Sequence, residues 1–235
     1  MTSKAKAVLF DVFGTLVDWR GSVSAGLAAF GAARNISADW LGITDAWRGA
    51  YKPAMDSVRR GEIAWTNLDE LHRGALATLL PKFGVTGVAD ADLDILVKLW
   101  HQLTPWPDSV AGLTALKQRV VIGSLSNGHV ALQVALAKHT GFPWDMIFAS
   151  DIFGHYKPDP EVYLGACKFL GFAPGEVMLA ASHNEDLAAA RKLGMQAGFI
   201  SRPQEFGAPD ERAKPAQDWE IVATSVPDLA AQLKN

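Results

Sequence analysis

The sequence predicts an α/β fold: a doubly wound, mostly parallel sheet with a helical cap inserted after its first strand. Three observations predict it. From Pro105 onward, short apolar runs alternate with helical segments. A long earlier region, roughly Trp19 to Leu103, has helical periodicity and few strand-like runs. The first apolar run, Val8-Leu9-Phe10, ends on Asp11 and turns at Gly14. Ligands of parallel sheets bind beyond the carboxyl ends of the strands, so a carboxylate there is held beside substrate and is a candidate nucleophile.

After the first strand, Trp40, Ile43 and Trp47 recur at helical spacing, as do Leu68, Leu71, Ala75 and Leu79, so each set predicts one apolar stripe. Pro53 is expected to bend or interrupt the first of these helices, because it removes a donor and clashes with the preceding turn. Gly61 and Pro81-Lys82-Phe83-Gly84 punctuate the others. The later strands are expected at Val120–Leu125, Met146–Ala149, Val177–Ala180 and Ala197–Ile200. Crossover helices are expected at Val130–His139, Glu161–Leu170 and Asp186–Leu193. The stretch Pro203 to Asp218 reads as a loop before a last short strand and helix. The division expected is a Rossmann-like core over 1–17 and 104–235 and a cap over 18–103 that roofs the crevice.

Charged residues make up 20% of the 235-residue chain and the formal net charge is -3, which provides no broad positive field for nucleic acid or an anionic membrane. A small molecule is the expected partner, with a homodimer contact as the other reading of the cap tryptophans. No run approaches the ~18 apolar residues of a membrane span. Met1 to Lys6 leads straight into the first strand with no apolar segment and cleavage site, so a cytoplasmic location is expected. Cys167 is the single cysteine, which excludes an intrachain disulfide and a cysteine metal cluster. No Gly-x-Gly-x-x-Gly follows a strand, which disfavours a dinucleotide enzyme.

Polar clusters fall at successive strand ends: Asp11 with Thr15, Ser126-Asn127-Gly128, Lys157-Pro158, and Ser182-His183-Asn184-Glu185-Asp186. Each has a plain alternative, as turn former, helix cap or solvated lysine. Taken in order, they resemble the motifs of the haloacid dehalogenase superfamily across essentially the whole chain. More narrowly they resemble its 2-haloacid dehalogenases (the type II, L-2-haloacid dehalogenase-like branch). That branch has an aromatic at the position of Phe13, Ser-Asn at the second motif, and Lys-Pro followed by a tyrosine at the position of Tyr163.

The resemblance implies Asp11 as nucleophile on a 2-haloacid, forming an ester that water then opens. Phosphatases of the superfamily carry a second carboxylate two residues after the nucleophile and an aspartate that begins the fourth motif and helps hold magnesium. Phe13 and Ala181 stand at those places here. Magnesium needs several oxygen ligands, so no metal and no cofactor are expected. A carboxylate attacking a carboxylate-bearing substrate meets repulsion of roughly 4 kcal/mol at about 4 Å and an effective dielectric of ~20, and Lys157 is the natural counter-ion.

Ser126 and backbone N–H groups near Phe13 are implied to hold the substrate carboxylate, with Val12 and Phe13 lining the pocket. Arg48 matches the family's cap arginine and would meet the departing halide, with Asn127 and Trp65 completing the pocket. Asp186, oriented by Lys157, is the first candidate to position water and His183 the second. Tyr163, Ser182 and Asn184 are expected in contact or support. Competing readings are a magnesium-dependent small-molecule phosphatase and a non-catalytic carboxylate-binding protein.

Overall fold

The computed structural model describes residues 5–233. Met1 to Lys4, at the head of the predicted first strand, lie outside the described residues. Strand β1 (Ala7–Phe10) is followed by a short β2 (Val17–Asp18) and then by helices α1 (Trp19–Ala33), α2 (Trp40–Arg59), α3 (Leu68–Lys82) and α4 (Asp90–Val97). The chain returns through β3 (Thr104–Pro105), α5 (Ser109–Lys117), β4 (Val121–Ser126), α6 (Val130–Thr140) and β5 (Met146–Ala149). It ends with α7 (Ser150–Phe153), α8 (Pro160–Leu170), β6 (Val177–Ala181), α9 (Asn184–Lys192), β7 (Gln196–Ile200), β8 (Ile221–Ala223) and α10 (Val226–Gln232).

Six strands form one parallel sheet in the order β5-β4-β1-β6-β7-β8. Strand order reverses at β1, because β4 lies on one side of it and β6 on the other, and a crevice opens where the two crossovers diverge. Val8 and Phe10 face one core layer with Leu113, Leu116 and Leu229. Ala7 and Leu9 face the opposite layer with Leu125, Phe148, Val162 and Leu187. Burial on both faces is why these strands read as continuous apolar runs rather than alternating ones.

Between sheet and helical insertion, β2 and β3 pair antiparallel, Val17 opposite Pro105 and Asp18 opposite Thr104. Asp18, Asp39 and Asn67 cap α1, α2 and α3 by accepting from Gly21, Gly42 and Glu70 N–H groups. Trp100 joins the insertion to the end of β1. Its ring lies 5.9 Å from Phe13, 6.4 Å from Trp19, 5.6 Å from Trp47 and 4.4 Å from His72.

Two expectations need correction. Helix α2 runs from Trp40 to Arg59 without interruption at Pro53. Only one intrahelical donor is lost there, and the helix is anchored on its other face by buried Ile43, Trp47 and Met55. On α3 the buried face is Leu68, His72, Leu76 and Leu80, while Leu71, Ala75 and Leu79 are only partly buried. The apolar count misplaced the stripe because a histidine occupies its centre. Strand limits agree with the expected ones to within a residue, and no helix among the described residues is long and apolar enough to cross a membrane.

Burial, with the positive charge of Arg48 adding to it, pushes His72 down to about 3. The unfolded chain therefore binds a proton near pH 6.5 that the folded chain refuses until about pH 3, so stability falls as pH drops through that window. Replacing His72→Phe is expected to flatten this acid limb by close to one proton, as read from urea midpoints between pH 7 and 4.

Candidate active site

Asp11 follows β1 directly and its N–H still donates to Ala180 O at 3.0 Å, so the sheet fixes its backbone. The side chain is nearly enclosed. Oδ1 accepts from Lys157 Nζ at 2.9 Å; Oδ2 accepts from Thr15 Oγ1 at 2.9 Å and lies 3.0 Å from His183 Nδ1. Burial would push this carboxyl up, but Lys157 and His183 together outweigh it and hold it far below the usual carboxylate range. It is a carboxylate at any working pH.

Lys157 bridges two carboxylates, since Nζ also donates to Asp186 Oδ2. The other oxygen of Asp186 accepts from the Tyr163 hydroxyl at 2.6 Å. Burial acts against the ammonium, yet Asp11 and Asp186 raise it above the usual lysine range. The Lys157 N–H donates to Asn127 Oδ1 at 2.7 Å, which ties the second motif to the third. Ser126 Oγ accepts from the Gly128 N–H at 3.1 Å and from Gln133 Nε2 at 2.8 Å. Its own proton remains to be given.

Glu205 was not singled out from sequence. It lies in the polar loop after β7, where spacing carries no signal. Only 2% exposed, it accepts from Trp19 Nε1 at 3.2 Å and Ser182 Oγ at 3.3 Å, and its Oε1 stands 2.9 Å from His183 Nε2. Burial pushes Glu205 up, but His183 more than reverses this and lowers it. Gly14 makes room for it: with φ +85°, a Cβ there would stand 2.1 Å from Glu205 Oε1. Tyr51 was also missed, although its three-residue spacing from Arg48 on a helix was the available clue. Its partly buried phenol hydrogen-bonds Asn127 and lies within the fields of Arg48, Asp11 and Lys157.

Arg48 projects from α2 with its guanidinium 4.3 Å from the Tyr51 ring and 5.4 Å from the Trp19 ring. Its Nε, like Trp100 Nε1 and both ring nitrogens of His72, is buried and has no hydrogen-bond partner among the described residues. Thr15, Lys157 and His183 thus bond Asp11 directly, and Asp186 and Asn127 reach it through Lys157.

Asn184 is spent on the loop that follows β7: its Nδ2 donates to Lys214 O at 2.9 Å, and its Oδ1 accepts from Ala216 N and Trp219 Nε1. Tyr163 is fully buried behind Asp186, and Ser182 lies beneath, its N–H donating to Thr15 Oγ1 at 2.9 Å. Both support the site without lining it. Trp65 is 38% exposed and packs on Tyr156 with ring centroids 4.8 Å apart, at the seam between insertion and sheet. Val12 and Phe13 are buried, Phe13 against Trp100.

Away from the crevice, Asp69, His101 and His129 bring ligand atoms within 4.8 Å of one another, but Lys98 Nζ already neutralises Asp69 at 2.6 Å.

A family model for haloacid dehalogenase-like hydrolases matches residues 5–194. The chain belongs to this family. It is 31% identical over 217 residues to an (S)-2-haloacid dehalogenase of Burkholderia cepacia, an alignment covering 88% of each chain. A solved L-2-haloacid dehalogenase is 47% identical with a TM-score of 0.94, over 97% of this chain and 98% of that one. A solved defluorinating L-2-haloacid dehalogenase is 46% identical with a TM-score of 0.95, over 98% and 96%. Two phosphatases, of phosphoglycolate and of N-acetylmuramic acid 6-phosphate, are more partial or weaker matches, at 33% identity over 129 residues and 24% over 202.

Gly14→Ala should cost at least about 1–2 kcal/mol through the left-handed backbone alone. It should also displace Glu205. Denaturation midpoints together with turnover check this, and both are expected to fall.

Proposed function

We propose that this enzyme hydrolyses a short 2-haloacid, a haloacetate or L-2-haloalkanoate, to the 2-hydroxyacid and halide through an ester on Asp11, without a metal ion. One observation carries the reading: Lys157 Nζ binds both Asp11 and Asp186, the two carboxylates that a divalent ion would have to share. With Phe13 and Ala181 at the other expected ligand and acid positions, the donor set does not suit an octahedral magnesium ion. The resemblance to 2-haloacid dehalogenases supports the substrate class.

Each residue then has a task that follows from its chemistry. Asp11 is ionised and needs no base, so its oxygen displaces halide from C2 with inversion. Lys157 compensates the charge that the substrate carboxylate brings. Ser126, with the proton it has left, and backbone N–H groups at Val12 and Phe13 hold that carboxylate. Arg48, whose Nε has no hydrogen-bond partner among the described residues, meets the departing halide beside Asn127. Aromatic rings of Trp19, Tyr51 and Trp100 exclude water from the carbon–halogen bond. Asp186, charged and fixed by Lys157 and Tyr163, receives the proton of the water that opens the ester. The cap is residues 18–103, bounded by the β2–β3 pair.

Asp11→Asn should lower turnover by at least about a thousandfold while leaving the fold intact. In a single turnover in heavy-oxygen water, label should enter Asp11; label found directly in the hydroxyacid would refute the ester. Halide release from chloro- or bromoacetate should be unchanged by a chelator, whereas magnesium-dependent release of phosphate from an aryl phosphate would point back to a phosphatase.

A further inference from the structure

His183 stands between two carboxylates, with Nδ1 3.0 Å from Asp11 Oδ2 and Nε2 2.9 Å from Glu205 Oε1. A neutral imidazole has one N–H, so one of these contacts would set a nitrogen lone pair against a carboxylate oxygen. Both contacts are favourable only if the ring is an imidazolium. Burial pulls the ring down, but Glu205 first and then Asp11 raise it to about 10.

We propose that His183, held as an imidazolium by Glu205, stabilises the oxyanion that forms on Asp11 Oδ2 when water attacks the ester, with Glu205 acting as a positioning residue for that second step. The inference rests on the ester reading given above. Oδ2 has two donors, Thr15 and His183, whereas Oδ1 has Lys157, which it shares with Asp186. The less encumbered Oδ1 is the attacking atom, which makes Oδ2 the ester carbonyl.

Water then bonds to Cγ as one of its protons passes to Asp186, and the carbonyl electron pair moves onto Oδ2 between Thr15 and His183. Collapse breaks the Cγ–Oδ1 bond. The remaining water-derived proton leaves with the product oxygen, so a neutral alcohol departs, Asp11 is again a carboxylate, and Asp186 returns its proton to solvent.

Esterification explains why Glu205 is needed. Once Asp11 is an ester its charge is gone, and of the two groups that face the ring only Glu205 remains to keep it protonated. Lys157, which binds Asp11, and Arg48, whose charge acts on Glu205, are the nearby cations, and both oppose a proton on the ring. An ester carbonyl is a weaker acceptor than the tetrahedral oxyanion, so these fixed donors act most strongly in the transition state of hydrolysis. In the first step the same donors stabilise the attacking carboxylate itself, a ground-state effect that does not accelerate halide loss.

The test follows both steps in one experiment. Enzyme and bromoacetate are mixed rapidly, bromide and glycolate are measured separately, and the Asp11 peptide is weighed. In His183→Ala, which removes the donor, one bromide per site should appear at the wild-type rate or faster. Glycolate formation should slow about a hundredfold, the effect of one oxyanion donor, and the ester on Asp11 should accumulate. In Glu205→Gln, glycolate formation should be lost as pH rises above neutrality and recover toward pH 6, while the wild type stays flat over that range.

Equal slowing of bromide and glycolate, or identical pH profiles for Glu205→Gln and wild type, overturns the proposal but leaves the ester intact. Failure of the wild type to label Asp11 overturns the ester itself. Thermal melts exclude unfolding; if both variants are unstable, the wild type decides, since its glycolate step alone should fail at alkaline pH. Loss of both steps together there counts against the role.

Discussion

Everything at the crevice follows from keeping buried carboxylates charged where water cannot solvate them. Asp11, Asp186 and Glu205 are each enclosed, and an unpaired charge in such a place would be neutralised or expelled. Lys157 answers the first two and His183 answers Asp11 and Glu205. Arg48 balances the set from the cap side. Three anions and three cations leave no excess of either sign, so the arriving substrate carboxylate meets donors rather than a bare anion.

This balance depends on a backbone that scarcely moves. Asp11 extends a strand paired on both sides, Lys157 is tied through its N–H to Asn127, and Thr15 is tied to the Ser182 N–H. The motifs come from separate strand ends, yet hydrogen bonds between their backbones and side chains lock them into one unit. Donors fixed in this way need not reorganise during reaction, which is what makes them effective against developing charge.

The insertion supplies the apolar half of the site. Trp19, Trp47 and Trp100 pack edge to face and in stacks with Phe13, so the roof rests on the ring two residues after Asp11. That ring provides a dry wall beside Asp11. The β2–β3 pair and the Arg59 to Asp159 ion pair hold roof and sheet together across the seam.

The parallel core, the positions of its strands and the carboxylate at the end of the first were legible in the sequence, because burial on both faces writes continuous apolar runs and strand ends collect polar residues. Asp11, Ser126 and Asn127 could be named for the same reason, since they sit at or just after a strand end, and Asp186 because it lies in the first turn of a helix; Thr15 and Lys157 lie in turns, and their motif context singled them out. Glu205 and Tyr51 could not be found so surely. One comes from a loop without periodicity and the other from a helix whose rotation was set by packing. Asn184 and Tyr163 show the converse, adjacent in sequence to the site yet turned away to hold a loop and a carboxylate. Sequence spacing fixes which backbone positions meet at the crevice; only the tertiary structure decides which side chains point into it, since that depends on partners far along the chain competing for the same hydrogen bonds.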